Sequence, residues 1–265
     1  MRGWTHLLLI AAVISVLFPV FLIFTAAFRT TFIPPQLIPA GLTTKNFEKL
    51  FSGSYFPLWA INTIIICLGT ILLTLACICP AAYALSRMRF WGRRELLLFL
   101  VIAQMFPSLV GMVAIYKILT TLRLVNLLGL ILIYTGTGAP FYTWFLKGYM
   151  DTLPYSLDES AQVDGAGPFR TFSKIILPLS KPALGVICFM VFLIPYNDYI
   201  LPSFLLEYPD TTLVAGLAGL SGIGGRSADY PLLAAGVMIS SIPLLLVFLF
   251  FQRYFIAGLT RGAVR

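Results

Sequence analysis

The sequence predicts an all-α integral membrane protein with six transmembrane helices. Three observations predict it. Of 265 residues, 59% are hydrophobic and only 11% are charged, against about 25% charged in ordinary soluble domains. The apolar residues gather in runs longer than the roughly 18 residues that mark a bilayer span. Those runs lack the alternation of barrel strands, which leaves the helix as the spanning structure. A net charge of +8 on a soluble protein would suggest nucleic acid. Here the basic residues sit in short loops between apolar runs, so no nucleic-acid partner is expected.

Taken in order, the first span runs over Leu7–Phe28. It is too long for a signal-peptide core and lacks a small-x-small cleavage site after it, so a helix of the mature protein is expected. His6, the only histidine, stands at its start and reads as interfacial. The loop Arg29–Pro57 carries Pro34, Pro35, Pro39 and Pro57, and a short polar helix at Thr44–Phe51 capped by Thr43 or Thr44. The second span is Leu58–Leu85, the third Glu95–Leu119 and the fourth Leu124–Leu146. Asn62 and Gln104, within them, are weaker candidates for a polar pathway lining and read more readily as helix–helix hydrogen-bonding groups. A polar stretch follows, then the fifth span, Pro182–Leu206. A glycine-rich loop, 207–229, leads to the sixth span, Tyr230–Phe255. Cys67, Cys77, Cys79 and Cys188 all lie in apolar runs and read as small packing residues. Cys77-Ile-Cys79 is too closely spaced and too apolar for zinc, and no metal site is expected.

Orientation follows from the basic residues. With the N-terminus inside, twelve of the 18 lysines and arginines fall on the inner side. These include Arg87, Arg89, Arg93 and Arg94, then Lys147, Arg170, Lys174 and Lys181. The outer side holds six, Arg226 among them. An even number of spans returns the C-terminus to the cytoplasm, and the polar stretch between spans four and five faces the cytoplasm too.

That stretch has a strong local pattern. Pro154 stops what precedes it. Ser156 with Glu159 three residues on forms a capping-box pattern. A helix of about ten residues then runs to Asp164. Gly165 can take positive φ and end it. Gly167-Pro168 starts a second helix, with Pro168 suited to its first position, and Pro178 closes it. The expected product is a helix–turn–helix hairpin too polar to insert into lipid.

The skeleton Glu159, Ser160, Ala161, Asp164-Gly165, Ile175, Leu177 and Pro178 resembles the coupling loop of ATP-binding-cassette import permeases. Ser160 stands where alanine is more usual, a small-for-small change. The runs Ala82–Phe90, Gln104-Met-Phe-Pro107, Asn197–Pro202 and Gln252–Val264 are similar to the carbohydrate-uptake branch of that family. Gln104-Met-Phe-Pro107 is similar to the smaller permease subunit of maltose/maltodextrin-type importers, whereas Asn197-Asp198 is closer to other oligosaccharide permeases. The resemblance implies the type I importer fold, in three parts. Residues 1–57 form the first transmembrane helix and external loop, 58–255 the permease core including the coupling loop 154–178, and 256–265 a cytoplasmic tail. It also implies partners: a second homologous permease, two ATPase subunits carrying ATP-Mg, an extracytoplasmic sugar-binding protein and an oligosaccharide substrate. The expected location is a bacterial or archaeal cytoplasmic membrane. Another sugar or sugar-derived solute is the alternative substrate; a secondary transporter or channel is the rival class.

Inside the membrane, Asp198 lies in the fifth span with Tyr196, Asn197 and Tyr199 beside it, bracketed by Pro195 and Pro202. An ionisable residue at such depth is costly and marks function by default. The group reads either as a polar, aromatic lining for a sugar route or as a contact with the partner permease. The chain contains no Gly-x-x-x-x-Gly-Lys-Ser/Thr loop; the nearest approach, Gly219–Arg226, lacks the lysine and hydroxyl end. No nucleophile or metalloprotease motif occurs either. A transport subunit without catalysis or cofactor of its own is therefore expected, with ATP hydrolysed by another chain.

Overall fold

The computed structural model describes residues 2–30, 41–105, 111–222 and 228–263. Pro34, Pro35, Pro39, Pro107, Gly224, Gly225 and Arg226 lie outside the described residues. Among the described residues every regular element is helical, in agreement with the all-α expectation. The chain forms two compact units: residues 1–62 with 207–245, and residues 63–206 with 246–265.

The first unit begins with α1, Arg2–Ala27. Its apolar stretch Trp4–Ala27 has a mean hydropathy of 3.0 and is unburied over all but its last turn, a surface whose natural solvent is lipid. Burial starts only in the last turn, at Thr25, Ala26 and Ala27. There Asn46 Nδ2 donates to the carbonyls of Ala27 (2.8 Å) and Arg29 (2.7 Å), which ties down the end of α1 by way of α2, Lys45–Ser52. Thr44 is the N-cap residue of α2, but its side chain makes no capping bond. The neighbouring Thr43 hydroxyl instead accepts from the Lys45 N–H at 3.2 Å.

The helix α3, Phe56–Arg87, starts in this unit. Its Trp59 is buried, and the indole N–H donates to the Pro209 carbonyl at 3.0 Å. Asn62 Nδ2 donates to the Thr211 carbonyl at 3.0 Å. Asn62 thus satisfies loop backbone, not another helix as the sequence suggested, because Thr211 precedes a helix and has no intrahelical donor for its carbonyl.

The second unit contains the rest of α3, then α4 (Arg93–Gln104), α5 (Met112–Leu122) and α6 (Leu127–Asp151). The third span is therefore not continuous: α4 ends as the Met105 N–H turns back to Ile102 O at 2.9 Å. The fourth starts three residues later than expected because Asn126 is its N-cap, accepting from the Gly129 N–H at 3.1 Å. It also runs five residues further. With glycines, threonines and Lys147 along it, α6 is less apolar than a lone lipid-facing span, as suits a helix packed against both α4 and the later helix Lys181–Asn197.

Next come α7 (Ser156–Val163), α8 (Pro168–Thr171), a π-helical turn over Phe172–Ile176, and α9 (Leu177–Leu179). The π turn has a local cause. Pro178 lacks an N–H, and its ring would crowd the carbonyl four residues back in a regular helix. The wider turn, closed by Leu177 N–H on Phe172 O, leaves space for it. Pro178 therefore sits inside the second helical arm and does not close it. The arm ends at Ser180, where the chain bends by 74° into α10, Lys181–Asn197.

A two-residue break separates α10 from α11, Ile200–Leu205, so the fifth span is also interrupted. Pro202 cannot bond back to Asp198 O, and Asp198 is extended, φ −76° and ψ 128°. Then α12 (Leu213–Gly219) and the first part of α13 (Tyr230–Ala263) belong to the first unit. By length and hydropathy three of the described helices pass as single spans, α1, α3 and α13.

The core of the second unit joins Ile78, Ala82 and Tyr83 of α3 to Leu146 and Met150 of α6 and to Ile187 of α10. Gly185 permits one close approach: a Cβ there would come within 2.5 Å of the Tyr254 ring. Cys67 and Cys79 are buried as packing residues; Cys77 instead faces outward.

Candidate functional site

Two parts of the second unit carry chemistry: the hairpin and a cavity.

The hairpin helix α7 has two faces. Asp158 and Ala161, three residues apart and so on one side of the helix, are buried. Glu159, Ser160 and Asp164 are exposed. The expected capping box does not form. Tyr155 occupies the N-cap position with helical backbone angles and no side-chain capping bond, and Ser156 is already inside the helix. The Ser156 carbonyl accepts from the Ser160 hydroxyl at 2.8 Å. Glu159 is thereby left with no side-chain partner among the described residues.

The far end of α7 closes as the sequence predicts. Gly165 has φ +77°, its N–H donates to Gln162 O at 3.0 Å, and the Ala166 N–H donates to Ala161 O at 2.8 Å. This paired return is the Schellman motif, with glycine in the left-handed position that costs other residues most. Gly167 is the N-cap residue of α8 and Pro168 its first position. Ile175 and Leu177 are half-buried and Pro178 is exposed. At the tip, Val163 and Phe169 are 88% and 79% exposed. Two bare apolar side chains flank a bare carboxylate, on an arm whose other face is anchored. Such a surface suits a protein partner.

The anchor is a cluster that sequence reading missed. Arg87, at the end of α3, reads from sequence as an inner-side surface charge. Its side chain is instead only 4% exposed and stands 3.2 Å from Asp158. Its guanidinium lies 4.3 Å from the centre of the Tyr155 ring, and Nη2 donates to Leu153 O at 2.9 Å. The burial of both Asp158 and Ala161 shows only when the chain is folded; their three-residue spacing is the sole local hint.

The cavity, about 620 Å³, is walled by α3, α4, α5, α6, α10, the α10–α11 break and the start of α11. Its polar lining is Thr70, Gln104, Tyr134, Thr137 and Asp198, and Phe141 and Tyr142 supply aromatic faces. Asp198 is held there by two bonds: Tyr134 OH donates at 2.8 Å, and the Ile200 N–H donates at 2.8 Å. The second bond caps α11, so the carboxylate has a backbone role besides facing the cavity. Gln104 reaches Thr137 O at 3.3 Å, which makes it both an interhelical bond and part of the wall.

Asp198's neighbours lie elsewhere. Tyr196 is buried against Phe192, with ring centres 5.0 Å apart. Asn197 Nδ2 donates to Leu193 O of its own helix at 2.9 Å, and Tyr199 is exposed. Of the four residues grouped by sequence, only Asp198 lines the cavity. Tyr134, 64 residues away, is the partner that sequence could not supply.

Known proteins resemble this arrangement closely. Residues 73–261 match the family model described as "Binding-protein-dependent transport system inner membrane component". The chain is 35% identical over 265 residues to the maltodextrin transport system permease protein MdxG of Bacillus subtilis (strain 168), covering 98% of this chain and 95% of that one. It is 36% identical over 269 residues to the galactooligosaccharides transport system permease protein GanQ of the same organism, covering 99% and 95%. Among solved structures, a chain of a bacterial transporter that imports the acidic polysaccharide alginate superposes with a TM-score of 0.83 at 22% identity, covering 96% of both chains.

Proposed function

The chain belongs to the family of binding-protein-dependent transport system inner membrane components, and from that premise we propose that it is the permease subunit of an ATP-binding-cassette importer for an oligosaccharide of the maltodextrin kind. The observation that carries the reading is the two-faced hairpin. Its inner face is anchored to α3 through Arg87, while its outer face offers Glu159, Val163 and Phe169. A separate ATPase would dock on that outer face. Closure of an ATPase dimer around ATP-Mg would shift the arm as a rigid body, and the spans would follow. Nucleotide binding favours one global state over the other, so the work is done by a difference in affinity.

The cavity supplies the other half of the proposal. Its volume falls within the roughly 300–1,000 Å³ of small-molecule sites. A sugar needs hydrogen-bonding groups for its hydroxyls and flat apolar surfaces for its C–H faces. Thr137, Tyr134 and Asp198 offer the first, and Phe141 and Tyr142 the second. The names of the relatives support maltodextrin first and galacto-oligosaccharide second. A second permease would complete the pathway, and an extracytoplasmic binding protein would deliver the sugar. The excess of basic residues on one set of loops supports a cytoplasmic hairpin and cytoplasmic termini.

The test is reconstitution. The complex purified through this chain, placed in liposomes with ATP inside and its binding protein outside, should accumulate labelled maltodextrin. Galacto-oligosaccharide run in parallel decides the sugar. Absence of ATPase and second permease from the purified complex would overturn the reading.

A further inference from the structure

The end of α3, the end of α6 and the start of the hairpin meet in one polar cluster. Arg87 is its centre. The guanidinium faces Asp158 of α7 at 3.2 Å, stacks over Tyr155 at 4.3 Å and donates to Leu153 O at 2.9 Å. The preceding residue extends the cluster: Ser86 Oγ donates to Asp151 Oδ1 at 2.7 Å, and Tyr155 OH donates to Ser86 O at 3.0 Å. Lys147 pairs with Asp151 at 2.6 Å.

Stability is a poor reason for such a cluster. A buried ion pair roughly breaks even against apolar side chains of the same size. This one is also incompletely satisfied. Arg87 Nη1 is buried without a hydrogen-bond partner, and Arg87 Nε and Asp158 Oδ2 face each other without hydrogen-bond geometry. Buried polar groups of this kind call for an explanation. A guanidinium can grip a carboxylate through two parallel bonds, so this pair has unused capacity to tighten when its two helices shift. An arrangement with a looser and a tighter form is the sort of element through which movement at one place biases another.

We propose that Arg87 is a positioning residue that clamps the hairpin to α3, so that displacement of the hairpin is passed to the membrane helix instead of being lost in a hinge at 152–155. The clamp deepens the permease reading and rests on it for its purpose, but its existence is testable apart from it.

The experiment uses the full complex with Arg87→Met, the milder Arg87→Lys and Asp158→Asn. Two quantities are read. The first is amide hydrogen exchange across 156–165. The second is sugar transported per ATP hydrolysed, a ratio that loss of assembled complex leaves unchanged. The clamp predicts exchange faster by about ten-fold or more in Arg87→Met and Asp158→Asn, since removing one partner of a buried pair strands the other. It predicts a transport-to-hydrolysis ratio reduced by about five-fold or more, the low end of typical coupling between sites. Arg87→Lys keeps the charge but not the forked geometry, and should fall between wild type and Arg87→Met on both readouts. Unchanged exchange in all three variants overturns the clamp. So does an unchanged ratio accompanied only by lower yield, which marks Arg87 as structural. If the wild-type complex moves no sugar, the permease reading falls, and the clamp is decided by exchange alone.

Discussion

Substituting Gly165 separates backbone geometry from side-chain contact at the hairpin turn. Gly165 has φ +77°, and a Cβ built there meets nothing within 4 Å. Gly165→Ala therefore creates no clash inside the chain, and its whole cost is conformational. Holding a non-glycine residue in the left-handed region costs about 1–2 kcal/mol. That corresponds to a factor of about 5–30 in an equilibrium. The turn is fixed by two backbone bonds, Gly165 N–H to Gln162 O and Ala166 N–H to Ala161 O, so the penalty falls directly on the closed hairpin. The affinity of the purified chain for its ATPase subunit, titrated in detergent, should drop by about 5–30-fold in Gly165→Ala. Gly165→Asn should recover most of the loss, because asparagine tolerates this position. Equal losses for alanine and asparagine would refute the conformational reasoning and indicate that the partner requires a bare backbone there. Unimpaired affinity in Gly165→Ala would refute the role of the turn in docking.

Three further outcomes follow from the same geometry. Asp198→Ala should lower sugar accumulation at normal ATPase stimulation, whereas Asn197→Ala should leave uptake unchanged, since its amide is bonded to Leu193 O and stays off the cavity; uptake assays on both variants at matched complex yield check this. Gly185→Ala should destabilise the complex by about 1–3 kcal/mol through overpacking, because the new Cβ would lie 2.5 Å from the Tyr254 ring; a thermal shift of the purified complex reads it, and an unshifted midpoint would show that the ring gives way freely. Cysteines placed at Val163 and Leu42, 88% and 76% exposed, should react with an impermeant maleimide from opposite sides of sealed vesicles, and reaction from one side alone would overturn the six-span arrangement.

What the sequence determined by itself was local. Runs of apolar residues long enough to cross a bilayer demand helices, because backbone groups in lipid must be satisfied within the same segment. The turn at Gly165 and the start at Gly167-Pro168 were equally legible, since each depends on the φ of one or two residues. Element ends that depend on a neighbouring side chain were less so: Asn126 moved the start of α6, and the capping box at Ser156 and Glu159 gave way to a helix that begins one residue earlier in the turn. Only the tertiary structure decided the interruptions and the polar pairs. Asp198 lies at a break because Pro202 withholds a donor and the carboxylate supplies a cap in its place. Its partner Tyr134 comes from another helix, as Asp158 comes to Arg87. No period in the sequence encodes these meetings. They follow from which helix faces pack together, and a buried charge can be placed only once that packing has determined what surrounds it.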